Sequence, residues 1–276
     1  MLRRALLVMG FGFLTVLLLF AIFGPGVHSG PFDQAGKPHL PPGNGYILGS
    51  DELGRDIVAR LAYGARVSLF VGFSVQIIAV VVGVLMGVWG TFAPKWLATA
   101  ILRFTDGMFA FPDILLGILL IGVFQSAVKS GGGVVVETLP VIIVLAVTAW
   151  PAYTRLTVTQ LATLKDREFV VAARASGAST TYIVTRHILP QLWGILLAVS
   201  MVELAGTILA ESTLSFIGIG VKPPTPSWGN MIDSARQSMN AYPMVLVWPC
   251  LFLSVTIFSL NFVGDGLRNI FDPRSK

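Results

Sequence analysis

The chain has 276 residues, of which 54% are hydrophobic and only 12% are charged, and its mean hydropathy is +0.78. A soluble domain carries about 25% charged residues, so this composition indicates a protein that lies in a lipid bilayer. The net charge of +5 does not indicate nucleic acid binding, because the basic residues fall in short segments between apolar stretches. One cysteine, Cys250, cannot form an internal disulfide and supports no metal cluster.

Apolar stretches, each long enough or nearly long enough for a helical membrane crossing, recur along the chain. They cover approximately residues 5–23, 67–92, 106–128, 139–155, 192–217 and 243–264. A segment inside a bilayer must satisfy its own backbone hydrogen bonds, and the alternating strands of a barrel are not seen. The sequence therefore predicts an all-α integral membrane protein with six transmembrane helices. The first stretch is too long for a signal peptide and is interpreted as a retained helix.

The distribution of Lys and Arg predicts the orientation. If the N-terminus is cytoplasmic, twelve of the nineteen basic residues lie in cytoplasmic segments and seven lie outside. Because basic residues favour the cytoplasmic side, both termini are predicted to be cytoplasmic. The predicted parts are a first helix (1–23), an outer segment (24–66), a transmembrane core (67–264) and a cytoplasmic tail (265–276). The core includes two long connections, 156–191 inside and 218–242 outside, and loops of this length are often functional.

The inner connection is predicted to form two short helices joined at Gly177, because glycine commonly ends a helix. The first helix ends at about Ala175, the second runs from Ala178 to Ile188, and Pro190 then starts the next span. Small side chains at the tip would let another protein approach the backbone closely, and nearby arginines could pair with its acidic groups. A solvated amphipathic loop is the alternative that the residues leave open.

The same segment resembles the signature loop of binding-protein-dependent ABC permeases: Glu-Ala-Ala, three residues, Gly, nine residues, then Ile-x-Leu-Pro. The spacing matches, and the departures are Val171 in place of Glu and His187 in place of Ile. The resemblance implies that this loop couples the permease to an ATPase. The residues assigned to this coupling loop are Ala172, Ala173, Arg174, Gly177, Leu189 and Pro190.

Further segments resemble one subfamily, the second membrane subunit of dipeptide, oligopeptide and nickel importers. They are residues 48–69, 211–229, 261–268 and 272–274. The resemblance implies the type I ABC importer permease fold in a bacterial inner membrane. It also implies a homologous second permease, two ABC ATPases that carry ATP and Mg, and an extracytoplasmic substrate-binding protein. Peptide is the expected substrate; nickel, opines and metal chelates remain open.

The outer segment from Gly49 to Arg66 is charged and amphipathic, with Ile57, Leu61 and Ala65 forming one apolar stripe. The resemblance implies a role near the docking site of the binding protein. The alternative is a structural plug that stabilises the bundle. The candidate docking residues are Asp51, Glu52, Arg55 and Asp56.

Acidic residues in the fifth apolar stretch are candidates for lining the transport pathway, because a charge at membrane depth costs at least ~2.5 kcal/mol. Glu203 and Glu211 are eight residues apart, so they point about 80° apart on a helix and can face one cavity, with Thr207 between them. A cationic peptide terminus could meet them there. Equally, they could bond to side chains of neighbouring helices.

Sequence motifs for catalysis or nucleotide binding are not found. The chain has no P-loop, no His-Glu-x-x-His and no Gly-x-Ser-x-Gly, and its three histidines have no metal-site spacing. No cofactor, metal or enzyme activity is therefore expected in this chain itself. The rival interpretations are an ion-coupled secondary transporter, in which Glu203 and Glu211 carry the ion, and a membrane enzyme or assembly factor. The coupling loop argues against the secondary transporter, which has no ATPase to hold, and the absence of a catalytic constellation argues against the enzyme or assembly factor.

Overall fold

The computed structural model describes residues 2–26, 30–34, 36–43, 45–125 and 133–271. Within these ranges the regular elements are helices, with a short 3-10 turn after the first helix and a π-helical turn at Val184–Ile188; the described residues of 30–56 form turns and isolated β-bridges. The α-helices are α1 (Leu2–Phe23), α2 (Ile57–Phe92), α3 (Lys95–Met108), α4 (Asp113–Gln125), α5 (Val134–Leu164), α6 (Glu168–Ala175), α7 (Thr180–Ile183), α8 (Leu189–Phe216), α9 (Trp228–Arg236) and α10 (Pro243–Phe271). The predicted helix beyond residue 125 and the segment 272–274 lie outside the described residues.

Five helical segments are long and apolar enough to cross a membrane: α1, α2, α5, the continuous run Thr180–Phe216 and α10. A sixth crossing is obtained when α3 and α4 are counted as one broken span. The fold therefore agrees with the predicted all-α membrane architecture of up to six crossings.

The third predicted span is not the continuous helix that was expected over 106–128. Helix α3 ends at Met108, α4 begins at Asp113, and the two meet at 95°. Pro112 lies at this break; it has no backbone N–H to donate and disfavours helical geometry at the residue before it.

Helix α2 begins ten residues earlier than predicted, so the boundary expected at residue 67 is wrong. Asp56 caps the helix, and its carboxylate accepts a 2.8 Å hydrogen bond from the Val58 N–H. The predicted apolar stripe of Ile57, Leu61 and Ala65 is buried in the core. Burial of this stripe against the bundle, rather than on a membrane surface, makes the amphipathic segment the first turns of a spanning helix.

The bundle is built around α2, which packs on α5 and α8, while α8 also packs on α10 and α1 covers both α2 and α10. Glycines allow the closest of these contacts. A Cβ atom added at Gly83 would lie 2.4 Å from the Tyr153 Cβ, and one added at Gly87 would lie 2.5 Å from the Thr157 Cβ. Small residues at these positions let α2 and α5 approach closely, as is common between membrane helices.

The α9 end of the bundle is closed by Trp228, which is fully buried among residues of α1, α2, α8 and α10. Its indole N–H donates to the Leu61 carbonyl at 3.2 Å. The helical hairpin of α6 and α7 lies between α5 and α8, at the opposite ends of these helices. These two ends are called the α9 end and the hairpin end below.

Candidate coupling loop and transport face

The hairpin of α6 and α7 turns at Gly177, where the sequence predicts the turn. Its turn depends on Gly177, which has a φ of +82° and is exposed. That left-handed conformation favours glycine, because a Cβ atom would strain the backbone there. Ser179 begins the second arm, and its side chain accepts a hydrogen bond from the Tyr182 N–H.

The underside of the hairpin is part of the protein core. Its most buried apolar side chains are Val170, Ile183, Val184 and Ile188. They pack in one cluster with residues of α5 and α8, which include Leu161 and Leu192. The hairpin is therefore held firmly against the ends of two membrane helices.

The outer surface of the hairpin carries small side chains, as predicted, but the two signature alanines differ. Ala172, Arg174 and Ala175 are exposed, whereas Ala173 is half-buried and packs on the core cluster. Ala172 therefore offers close approach to another protein, while Ala173 helps to seat the hairpin.

The second arm of the hairpin is not a separate short helix from Ala178 to Ile188, as was expected. Helix α7 passes through the π-helical turn at Val184–Ile188 directly into α8. Pro190 lies in the first turn of α8, and the wider turn before it accommodates a proline ring that would strain an uninterrupted α-helix. Leu189 is half-buried at the same junction. The second arm and α8 therefore form one continuous helical element.

The four predicted docking residues lie together at the α9 end, but three of them are buried and bonded within the chain. The Asp51 carboxylate accepts hydrogen bonds from the backbone and the Nε of Arg55, the latter at 2.7 Å, and forms an ion pair with Arg60 at 3.2 Å. Asp51 is 4% exposed and Arg55 is 6% exposed. Glu52 accepts a 3.0 Å hydrogen bond from Arg55 and is partly exposed, while Asp56 is the helix cap. These bonds within the chain favour the structural plug, the alternative that the sequence left open.

Glu211 is completely buried and lies inside the subunit rather than in a cavity. Its carboxylate accepts hydrogen bonds from Ser68 at 3.0 Å, Ser215 at 2.8 Å and Ser212 at 3.4 Å. Because Ser68 belongs to α2, this network ties α2 to α8. The structure thus gives Glu211 the helix-bonding role that the sequence left as an alternative.

Thr207 belongs to a second polar network, at the level where α2, α5 and α8 meet. Its hydroxyl accepts a 2.7 Å hydrogen bond from the side-chain amide of Gln76. The Tyr153 hydroxyl donates to the Gln76 carbonyl oxygen at 2.5 Å and lies 3.1 Å from the Ser200 hydroxyl. Gln76, Tyr153 and Ser200 were not predicted from the sequence. The feature that could have indicated them is that each is an isolated polar residue within an apolar stretch.

Glu203 is half-buried, and its carboxylate has no hydrogen-bond or ion-pair partner within the described part of the chain. It borders a cavity of about 170 Å³ between α8 and α10. Asp265 and Arg268 of α10 line the same cavity. The structure therefore does not bring Glu203 and Glu211 together; it separates a cavity-lining glutamate from a buried one.

Comparison with solved structures identifies the fold. The fold matches that of chains from the methionine ABC transporter MetNI in inward-facing conformations, with TM-scores of 0.62 and 0.61. Each match covers 77% of this chain and 96% of the MetNI chain, at 19% and 20% sequence identity. The fold is that of a type I ABC importer permease.

Residues 79–276 match the family model of binding-protein-dependent transport system inner membrane components. The chain is 33% identical to the di/tripeptide transport system permease DppC of Pseudomonas aeruginosa, over 97% of this chain and 88% of that protein. It is 30% identical to the dipeptide permease DppC of Alkalihalophilus pseudofirmus (99% and 88% covered) and 34% identical to the glutathione permease GsiD of Shigella dysenteriae (96% and 85%). This chain belongs to that family and is a multi-pass inner membrane permease subunit of an ABC importer. The rival interpretation of an ion-coupled secondary transporter is set aside.

Proposed function

We propose that this permease forms one half of the membrane pathway of a peptide importer, paired with a homologous second permease. The substrate class is supported by the similar relatives, whose names specify di/tripeptide, dipeptide and glutathione transport. In this proposal an extracytoplasmic binding protein delivers the peptide at the α9 end. Two ABC ATPases, which bind ATP and Mg, act at the hairpin end.

The observation that carries the proposal is the hairpin of α6 and α7. Its surface presents small exposed side chains, its underside is buried in the core, and its second arm continues into α8. A protein that grips this hairpin can therefore move α8 as one body. That is the mechanical link an ATP-driven importer needs between its ATPase and its pathway.

Docking of the binding protein at the α9 end is best assigned to the exposed side chains around the buried ion-paired cluster. Buried side chains support this surface. The charged groups of Asp51, Arg55 and Asp56 are bonded within the chain. Glu52 retains part of its surface, its neighbour in sequence Leu53 is an exposed apolar residue, and so is Ile47 of the same outer segment. We propose that these three side chains contact the binding protein.

The hairpin is tested by adding bulk at its tip. We expect Ala172→Trp to abolish ATP hydrolysis stimulated by the loaded binding protein, because an indole prevents close approach of the ATPase. Gly177→Val should act similarly, because its backbone conformation disfavours a β-branched residue. The assay is ATPase activity of the purified four-subunit complex in nanodiscs.

The control is Val8→Trp, which adds the same indole to an exposed position on α1, away from the hairpin. Wild-type stimulation in Ala172→Trp and Gly177→Val would refute the hairpin as the coupling element. The peptide assignment is tested separately, by mass spectrometry of the molecule that co-purifies with the binding protein. A nickel ion or a metal chelate in place of a peptide would overturn it.

The proposed orientation places both termini and the hairpin in the cytoplasm. It is tested with single cysteines at Ala175 and Ile47, both exposed in the fold, in a Cys250→Ala background. A membrane-impermeant thiol reagent added to intact cells should label the cysteine at position 47 and not the one at 175. Labelling of position 175 from outside would reverse the topology.

A further inference from the structure

We propose that the cavity between α8 and α10 binds the charged ends of the transported peptide, with Glu203 and Asp265 facing its ammonium group and Arg268 facing its carboxylate. This inference rests on the peptide substrate proposed above. It assigns residues and a recognition chemistry to one position in the pathway.

Glu203 is half-buried without a partner in the described ranges, whereas the fully buried carboxylates Asp51 and Glu211 are bonded; Asp265 and Arg268 are exposed. Asp51 binds Arg55 and Arg60, and Glu211 accepts from three serines. In contrast, the side chains of Glu203, Asp265 and Arg268 form no ion pair within the described ranges. Asp265 and Arg268 are three residues apart, a spacing at which helical ion pairs commonly form, yet they remain separate.

The position of Glu203 along its helix also favours a ligand. It lies in the middle of α8, fourteen residues from the start of that helix at Leu189, so its carboxylate is about 21 Å along the helix axis from that end. An ionisable residue at such depth is costly unless it faces water or a partner of opposite charge. The cavity provides access, and a cationic group in it would offset the cost.

The mixture of charges and the size of the cavity fit a dipeptide. Two carboxylates and one guanidinium match a zwitterion, because a guanidinium binds carboxylate oxygens and carboxylates bind an ammonium group. A sphere of 170 Å³ is about 7 Å across, and an extended dipeptide spans at most about 7 Å. The remaining lining is formed by small or aliphatic residues: Ala198, Val199, Val202 and Gly264. Such walls leave room for a peptide backbone and demand no particular side chain.

The segment 261–268, which resembles the importer subfamily, has a role in this proposed site. It places Gly264 against α8, where an added Cβ would lie 2.6 Å from the Val202 side chain. This close contact sets the distance between the two helices, and Asp265 and Arg268 follow it on the cavity side. The glycine positions the helix, and the two charged residues supply recognition.

The test measures whether a peptide occupies the cavity in the nucleotide-free four-subunit complex, with no binding protein present. Val202→Cys, in a Cys250→Ala background, places a thiol at the cavity wall for modification by a small methanethiosulfonate reagent. We expect alanyl-alanine to slow this modification. N-acetyl-alanyl-alanine, which lacks the ammonium group, and alanyl-alanine amide, which lacks the carboxylate, should protect less.

Adding Glu203→Gln should raise the dipeptide concentration needed for half-protection by about tenfold, since a charge-assisted hydrogen bond is lost. Arg268→Gln should remove the difference between alanyl-alanine and its amide. Asp106→Asn, which removes an exposed charge paired with Arg155 on other helices, is the control and should leave protection unchanged.

Equal protection by all three ligands, or none by any, would overturn the proposal. Val199→Cys is the second reporter; if neither thiol is modified, the cavity is closed to solutes and the proposal is also wrong. Loss of complex yield in Glu203→Gln without a change in protection would instead indicate that Glu203 pairs with the second permease. Dipeptide import by the wild-type complex is measured in parallel, so that failure of the site and failure of the proposed function can be told apart. Import without protection refutes only this site. Absence of import refutes the proposed function.

Discussion

Glu203 and Glu211 lie two turns apart on the same helix, and their surroundings are opposite. Glu211 is fully buried and bonded to three serine hydroxyls, one of them on α2. Glu203 borders a cavity and has no partner in the described part of the chain. The same residue type therefore stabilises the bundle at one level of α8 and remains available to a ligand at the other.

The contrast extends to the two ends of the molecule. At the α9 end, Asp51, Arg55 and Arg60 form a buried ion-paired cluster, and Trp228 bonds to the backbone of α2. At the hairpin end, small residues and a left-handed glycine form an exposed surface. We infer that the charged groups at the α9 end serve the subunit's own stability, while the hairpin, seated on α5 and α8, offers its outer surface to a partner.

The largest effect is expected from Asp51→Ala. This change leaves Arg55 and Arg60 buried without their shared carboxylate, and breaking a buried ion pair from one side costs about 3–5 kcal/mol. Thermal unfolding of the purified complex should show a strongly lowered transition or loss of the folded protein. The matched control is Asp233→Ala, which breaks an exposed pair with Arg236 and should cost less than about 1 kcal/mol. Equal effects of the two changes would contradict the plug role.

A smaller loss of stability is expected from Glu211→Ala, on the order of 3 kcal/mol. It leaves buried serine hydroxyls unsatisfied and opens a cavity between α2 and α8. Glu211→Gln keeps the shape and one acceptor oxygen, so it should retain much of the stability. The same unfolding measurement checks both. A Glu211→Ala protein as stable as wild type would show that the serine network contributes nothing.

The hairpin could be predicted from the sequence because its determinants are local. The helix-breaking glycine, the small residues and the proline lie within twenty residues of each other, and their spacing is visible in the chain. The continuity of the second arm with α8 was not predicted, because a proline after a short helix ordinarily indicates a boundary. The π-helical turn that removes this boundary depends on packing of Val184 and Ile188 in the core.

The networks could not be predicted because their partners are distant in the sequence. Tyr153 bonds to Gln76 across 77 positions, and Glu211 bonds to Ser68 across 143. The helical period correctly placed Glu203 and Glu211 within 80° of one another, but it did not specify which neighbour each would face. Similarly, the sequence left docking and a structural plug open for the charged residues near Asp51, and only the fold shows that Asp51, Arg55 and Arg60 are buried and ion-paired. The tertiary packing decides between pathway, docking and structural roles for such residues.

The central claim is that Glu203 serves transport and not stability. The most direct measurement is dipeptide uptake into proteoliposomes that contain the complex with Glu203→Gln, together with its unfolding temperature and its bound ATPase subunits. We expect uptake to fall severalfold while the unfolding temperature and the bound ATPase subunits remain as in the wild type. Wild-type uptake by this variant, or a loss of stability that accounts for its lower uptake, would contradict the claim.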